Sequence, residues 1–230
     1  MTRPILTIRP EPGCGATVAA GAEASLAIAG CPLLELRAVA WQVPPGPFDG
    51  LLLGSPNALR LGGQAVDSLV DKPVYAVGKA TAEAARQRGF AIARIGEEGL
   101  QKLLESLAPA NLRLLRLAGR ERVALSPPPG LTIGTAIVYE AKDLALSDEA
   151  ATLLRGGALV LLHSGAAARR LAAECDRLAI HRRDIALAAL SPRIAEAVGP
   201  GWAALRSAAE PTEAALLALA REMCHDPPRD

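Results

Sequence analysis

The sequence predicts an α/β protein built from two similar parallel-sheet domains joined by a two-stranded linker, with a cleft between them. Three observations predict it. Short apolar runs of strand length alternate with Ala/Leu-rich helical patterns. Most of these runs are apolar throughout rather than alternating, as in parallel strands covered on both faces. The order strand–turn–helix also occurs twice at a nearly constant offset.

In chain order, Ile5–Ile8 reads as the first strand and Leu33–Trp41 as an extended segment, followed by a Pro/Gly loop, Val43–Gly50. Strands are predicted at Gly50–Leu53 and Val74–Val77, helices at Ala80–Gln87 and Leu100–Leu107, and strands at Leu112–Leu117 and Ile133–Tyr139. Residues 137–144 read as extended, with a polar connection over 143–149. The second half brings strands at Leu159–Leu162 and Ile185–Leu190 and helices at Ala166–Leu178, Ile194–Val198 and Glu213–Met223.

The duplication is visible in the residues. FDGLLLGSPNAL from Phe48 resembles GALVLLHSGAAA from Gly157, with Ser55 falling on Ser164, a shift of 164 − 55 = 109. VGKATAEA from Val77 resembles LSPRIAEA from Leu190, a shift of 190 − 77 = 113. The two extended segments flanking the first repeat suggest a two-stranded bridge. They divide the chain into one domain of residues 1–36 and 143–230 and an inserted domain of residues 37–142.

Composition narrows the function classes. Half of the 230 residues are hydrophobic, enough for a real core. With 25 basic and 24 acidic residues and 3% aromatics, the chain lacks the charge and the stacking rings of a nucleic-acid binder. Cys14, Cys31, Cys175 and Cys224 form no CxxC pair, so they read as buried or half-buried thiols rather than a disulfide or zinc framework. No apolar h-region follows Met1 and no apolar run reaches membrane-spanning length, so no membrane partner and a cytoplasmic location are expected.

Three chemistries can be weighed. Gly13-Cys14-Gly15 after a strand, with Glu35 20 residues past Gly15, looks like a dinucleotide fingerprint. The third small residue is Val18 instead, and Arg9–Pro12 separates strand from glycines, which argues against NAD. Ser55 and Ser164 lie in no G-x-S-x-G elbow, and His163 reads as a structural or rim histidine. No His/Cys/Asp/Glu spacing fits a metal. What remains is a set of strand ends just before helices: Ser55-Pro56-Asn57, Gly78-Lys79, Ser164-Gly165 and Ser191-Pro192-Arg193. Such edges face the ligand crevice of open parallel sheets, and free helix N–H groups there bind carboxylates, although Ser and Asn are also ordinary helix caps.

At these residues the sequence resembles the uroporphyrinogen-III synthase family. GLLLGSPNAL is similar to its strand–T-S-P–helix block, VYAVGKATAEAARQRGF to its VG-x-x-T-A…G segment, and IVYEAK to the V-Y strand that returns between domains. ALVLLHSGAAA, ALAALSPRIAEAV and AAEPTEAALLALA are similar to the later blocks, and LTIRPEP to the bacterial opening T-R-P-E. The resemblance spans nearly the whole chain in order. It implies cofactor-free closure of linear hydroxymethylbilane to uroporphyrinogen III, with loss of water and inversion of ring D. It also implies a proton donor at Tyr139 and contacts to the substrate at Arg9, Ser55, Asn57, Thr81, Lys79, Ser164 and Thr212. Gly78, Ser191 and Arg193 join this set from their strand-end positions, with Arg9, Lys79 and Arg193 as the expected carboxylate partners.

The polycarboxylate substrate is the expected partner. A monomer and a transient contact with the preceding pathway enzyme complete the expectations. The alternative is a non-catalytic two-domain binder of small anions or tetrapyrroles. Departures from the family pattern bear on that choice: Gly54 and His163 replace the Thr before each Ser, and Ile194 replaces the Thr of the I-G-P-x-T-A block. Ser126–Gly130, with three consecutive prolines, interrupts a region where the family usually runs a helix, so the resemblance implies a shortened helix and a rigid loop there.

Overall fold

The computed structural model describes residues 3–225, and Met1 and Thr2, where the signal-peptide reading began, lie outside it. Two compact units divide the chain, one from Met1–Glu35 and Lys142–Asp230 and the other from Leu36–Ala141. Both are α/β, each around a sheet dominated by parallel strands.

The discontinuous unit opens with β1 (Ile5–Thr7), α1 (Gly13–Glu23) and β2 (Ile28–Gly30). The chain leaves it within β3 (Leu34–Ala38). The inserted unit then runs β4 (Gly50–Leu53), α2 (Asn57–Leu61), a 3-10 turn at Gln64–Leu69, β5 (Val74–Val77), α3 (Lys79–Gln87), β6 (Ile92–Gly96), α4 (Leu100–Glu105), β7 (Leu112–Gly119) and β8 (Leu131–Asp143). The return continues through α5 (Asp148–Arg155), β9 (Leu159–Leu162), α6 (Gly165–Arg177), β10 (Ala186–Ala189), α7 (Pro192–Ala197), β11 (Ala204–Ser207) and α8 (Glu213–His225).

The five-stranded sheet has the order β11-β10-β9-β1-β2, and the six-stranded sheet β3-β8-β7-β4-β5-β6. Central strands are buried along their whole length: β4, β9 and β10 expose no residue. Their continuous apolar runs follow from that, since helices cover both faces. In the inserted unit, Leu51, Leu53, Leu115 and Leu117 pack on one face with Leu59, Ala82 and Phe90, while Leu52, Leu114 and Leu131 pack on the other with Leu103 and Leu104. In the discontinuous unit, Leu159, Leu161, Ala186 and Ala188 pack against Leu216, Leu219 and Ala220 of α8.

Three strands, β2, β6 and β11, and two helices, α1 and α5, go beyond the sequence reading, while α2 is the helix expected at the Ser55-Pro56-Asn57 strand end. Each of the three strands closes a sheet edge, where one side lacks a partner and polar residues are tolerated, as in IARIG and ALRS. The polar connection expected over 143–149 is shorter, because α5 begins at Asp148, capped by the Ser147 side chain accepting from the Ala150 N–H at 3.2 Å.

The crossover from β7 to β8 corrects a further expectation. No shortened helix forms there; residues 120–130 carry neither helix nor strand. Pro127, Pro128 and Pro129 supply no N–H groups, which removes the donors a helix would need. Gln101 of α4 holds the segment instead, its Nε2 donating to Ser126 O at 2.9 Å and its Oε1 accepting from Ser126 N at 3.0 Å.

Candidate functional site

Every expected site residue except Tyr139 lies within two residues of the carboxyl end of a strand or of the first residue of a helix. In the inserted unit, Ser55 follows β4 and Gly78 follows β5, and these strands are parallel neighbours. Ser55 Oγ accepts from the Asn57 N–H at 3.3 Å, and Asn57 Oδ1 accepts from Arg60 at 3.4 Å, so both side chains serve the short α2. Gly78 has φ of +79°, a left-handed conformation that favours glycine, and its N–H donates to Gly96 O at 2.8 Å. Lys79 is exposed and makes no hydrogen bond or ion pair among the described residues. Thr81 lies in the first turn of α3 and is buried.

Tyr139 lies in β8, half-buried, two strands from β4 in the sheet order. The register of β7 and β8 slips between Ala118 and Gly119, which sets Gly119 opposite Tyr139. The ring occupies the space that a side chain at 119 would take, and the hydroxyl makes no hydrogen bond among the described residues.

In the discontinuous unit, Ser164 caps α6, its Oγ accepting from Ala167 N–H at 3.2 Å, and Thr212 Oγ1 accepts from Ala215 N–H at 3.2 Å at the start of α8. Ser191 is the N-cap of α7 without a side-chain cap bond, and Arg193 is exposed without a partner among the described residues. Arg9 is engaged. Its Nη1 donates to Glu213 Oε2 at 3.1 Å and to Thr17 Oγ1 at 3.2 Å.

That pair belongs to a network of four side chains that sequence reading did not find. Thr17 Oγ1 donates to Glu213 Oε1 at 2.7 Å, and His163 Nε2 lies 3.1 Å from Glu213 Oε2. Burial pushes the Glu213 carboxyl up, but the hydrogen bonds from His163 and Thr17 and the charges of His163 and Arg9 outweigh it, so it titrates below its ordinary value. The His163 side chain is 5% exposed and Thr17 is buried, which makes this a structural anchor as well as a charged cluster beside Ser164 and Thr212. The only sequence signal was a strand-end histidine and a helix-start glutamate 50 residues apart.

Other chemistries find little support in the local geometry. Glu11 Oε2 accepts from Gly15 N–H at 3.0 Å, so a carboxylate of the chain itself occupies an amide that a pyrophosphate would need at α1. Burial pushes the Cys14 and Cys175 thiols up to about 11, far from nucleophilic thiolates at neutral pH. Among the described residues no group of three or more His, Cys, Asp or Glu could hold a metal ion, and no helix is long and apolar enough to cross a membrane.

The chain is thus a two-unit α/β protein whose strand ends carry hydroxyl, glycine and basic residues. The family model described as uroporphyrinogen-III synthase HemD matches residues 18–218, and the chain belongs to that family, lyases of tetrapyrrole biosynthesis. Among solved structures it is similar to the uroporphyrinogen-III synthetase of Helicobacter pylori, with 21% identity, 96% of this chain and 99% of that chain covered and a TM-score of 0.63. It is also similar to a mutant uroporphyrinogen III synthase of Thermus thermophilus, with 15% identity, coverage of 97% and 100% and a TM-score of 0.58. These two likenesses establish the shared fold. A search of the curated proteins finds no match.

Proposed function

We propose that the chain closes hydroxymethylbilane to uroporphyrinogen III with Tyr139 as the proton donor. Family membership over residues 18–218 carries the reading, and the unpaired Tyr139 hydroxyl supports the role of that residue. A proton delivered to the hydroxymethyl oxygen breaks its C–O bond and releases water, while the pyrrole nitrogen supplies the electron pair that forms an azafulvene. The substituted α-carbon of ring D bonds to the azafulvene carbon to give a spiro intermediate, its bond to the neighbouring methylene bridge then breaks, and that bridge carbon rebonds at the free α-carbon of ring D, which inverts the ring. Rearomatisation then releases one proton, which restores the donor.

Choosing that carbon is a matter of positioning. Lys79 and Arg193, exposed and without partners among the described residues, take substrate carboxylates together with Ser191 and the strand-end backbone. Ser55, Asn57, Ser164 and Thr212 shape the turns that carry these groups, and Gly78 turns the chain where a side chain would be strained. Arg9 acts through Glu213, and Thr81 acts from beneath α3. The protein works as a cytoplasmic monomer built of the two compact units, receiving its unstable substrate by transient contact with the enzyme that makes it.

The test is direct. Purified protein given fresh hydroxymethylbilane should yield the III isomer after oxidation and separation. Isomer I alone, at the spontaneous rate, would overturn the reading, and tight product binding without turnover would identify a non-catalytic binder.

A further inference from the structure

The helix-free crossover from β7 to β8 leaves a cavity of about 500 Å³ in the inserted unit. Arg116, Ile133 and Thr135 of the sheet form its floor, and Arg122, Val123 and Leu125 of the crossover form its wall. Arg116 is the unusual member. It lies two residues beyond Leu114, which faces Leu103 and Leu104, so a guanidinium continues an apolar face of the strand. The residue is only 7% exposed. Its Nη1 donates to Val123 O at 2.9 Å, while its Nε is buried with no partner.

A buried cation is stable only when paired and hydrogen-bonded. Arg116 makes no ion pair among the described residues, and neither does Arg122 at the rim. Burial and the like charge of Arg122 hold Arg116 below the usual arginine range, and the Tyr139 phenol alone counters them. Two guanidiniums, unfilled donors, a hydroxyl opposite in the strand register and apolar walls therefore converge on one space whose lining holds no acidic side chain.

We propose that this cavity binds the carboxylate of a small organic acid, which Arg116 and Arg122 clasp while Val123, Leu125 and Ile133 cover its hydrocarbon body. The volume suits a ring-sized acid. The carboxylate comes either from a separate molecule or from one acid arm of the bilane, and the second source rests on the cyclisation reading above.

Calorimetric titration of the whole chain with benzoate and with propionate, beside the KM for hydroxymethylbilane, separates the two. In Arg116→Met, which keeps an apolar stem, probe binding should weaken about tenfold or more, the loss expected for a charged hydrogen bond. If the KM rises by a similar factor and benzoate competes with substrate, the carboxylate is the bilane's own arm. If the KM is unchanged, a separate acid binds. Probe binding that Arg116→Met leaves intact overturns the proposal, as does no saturable probe binding to wild type together with an unchanged KM. Should Arg116→Met not fold, Arg122→Gln at the exposed rim takes its place with the same outcomes. The probe arm needs no turnover and alone decides in an inactive protein, so failure of the cyclisation reading would be seen separately.

Discussion

The ring of Tyr139 lies across Gly119, so close that a Cβ at 119 would stand 2.7 Å from Tyr139 Cε2 and 3.1 Å from its hydroxyl oxygen. Gly119→Ala must therefore push the ring from its place. The expected cost is about 1–3 kcal/mol of stability from overpacking. Turnover should fall by up to about 10²-fold, as expected for an ångström-scale misplacement of a reacting group. Thermal denaturation and the isomer assay measure the two effects. Wild-type turnover in this variant would show that the position of the phenol does not set the rate.

Tyr139→Phe keeps the ring on Gly119 and removes only the hydroxyl. Because that hydroxyl holds no partner among the described residues, the melting temperature should hardly change. Loss of a positioned proton donor should lower kcat about 10²-fold or more. Unchanged kcat would remove Tyr139 from the chemistry.

Glu174 ties the returning chain to α6. The residue is fully buried, its Oε2 accepts from the Leu146 N–H at 2.7 Å, and Arg177 and Arg170 donate to the same carboxylate. The Arg177 hydrogen bonds, ahead of the opposing effect of burial, hold its pKa down at about 2. The folded pKa is thus below the ordinary glutamate value, near ~4.3 in the unfolded chain. This stabilisation is fully present above that value and is lost as pH falls from it through about 2. Glu174→Gln should cost about 2 kcal/mol at pH 7, less than a fully enclosed pair because the Arg177 side chain reaches solvent. Denaturant titrations should show the gap narrowing below the ordinary glutamate value and closing as pH falls through about 2, and a constant gap from pH 7 to 2 would rule out the carboxylate's charge as the cause.

Ser164 presents a choice between capping a helix and touching a ligand. Ser164→Ala should destabilise α6 by about 1 kcal/mol, whereas Ser164→Gly should cost only a few tenths, as a tolerated cap. If the hydroxyl only caps, KM in Ser164→Gly stays at the wild-type value. A several-fold rise in KM at nearly wild-type stability would make it a substrate contact.

Glu213→Gln weakens the shared acceptor of Arg9, Thr17 and His163. A loss of about 1 kcal/mol is expected, tempered by the partial exposure of Arg9 and Glu213. Since the folded Glu213 pKa is depressed, its contribution is present above the ordinary glutamate value and fades as pH falls below it. An unchanged melting temperature at pH 7 would show that the network does not anchor α8.

Central strands were legible in the sequence because burial on both faces leaves an unbroken apolar run, as in Leu51–Leu53 and Leu159–Leu162. Edge strands β2, β6 and β11 were not, since polar residues on an open edge blur the pattern. Helix α1 was hidden by glycines that resembled a nucleotide loop. Strand-end serines and Thr212 could be found from their place before helices, but whether each hydroxyl was spent on a cap depended on hydrogen bonds at 3.2–3.3 Å.

By itself the sequence determined the two repeated α/β patterns and most of the helix starts, and it offered Tyr139 as the candidate donor. Local periodicity and local spacing suffice for the patterns and the helix starts, and the family resemblance singles out Tyr139. Tertiary structure alone decided that Arg9 pairs with Glu213 across 204 residues, that Gly119 lies beneath Tyr139, and that Arg116 is buried without an acid beside a cavity. The physical reason is that a charge or a hydroxyl has no fixed role along the chain. Its role is set by which distant groups the packed sheets bring within hydrogen-bonding distance, and by how much water remains around them.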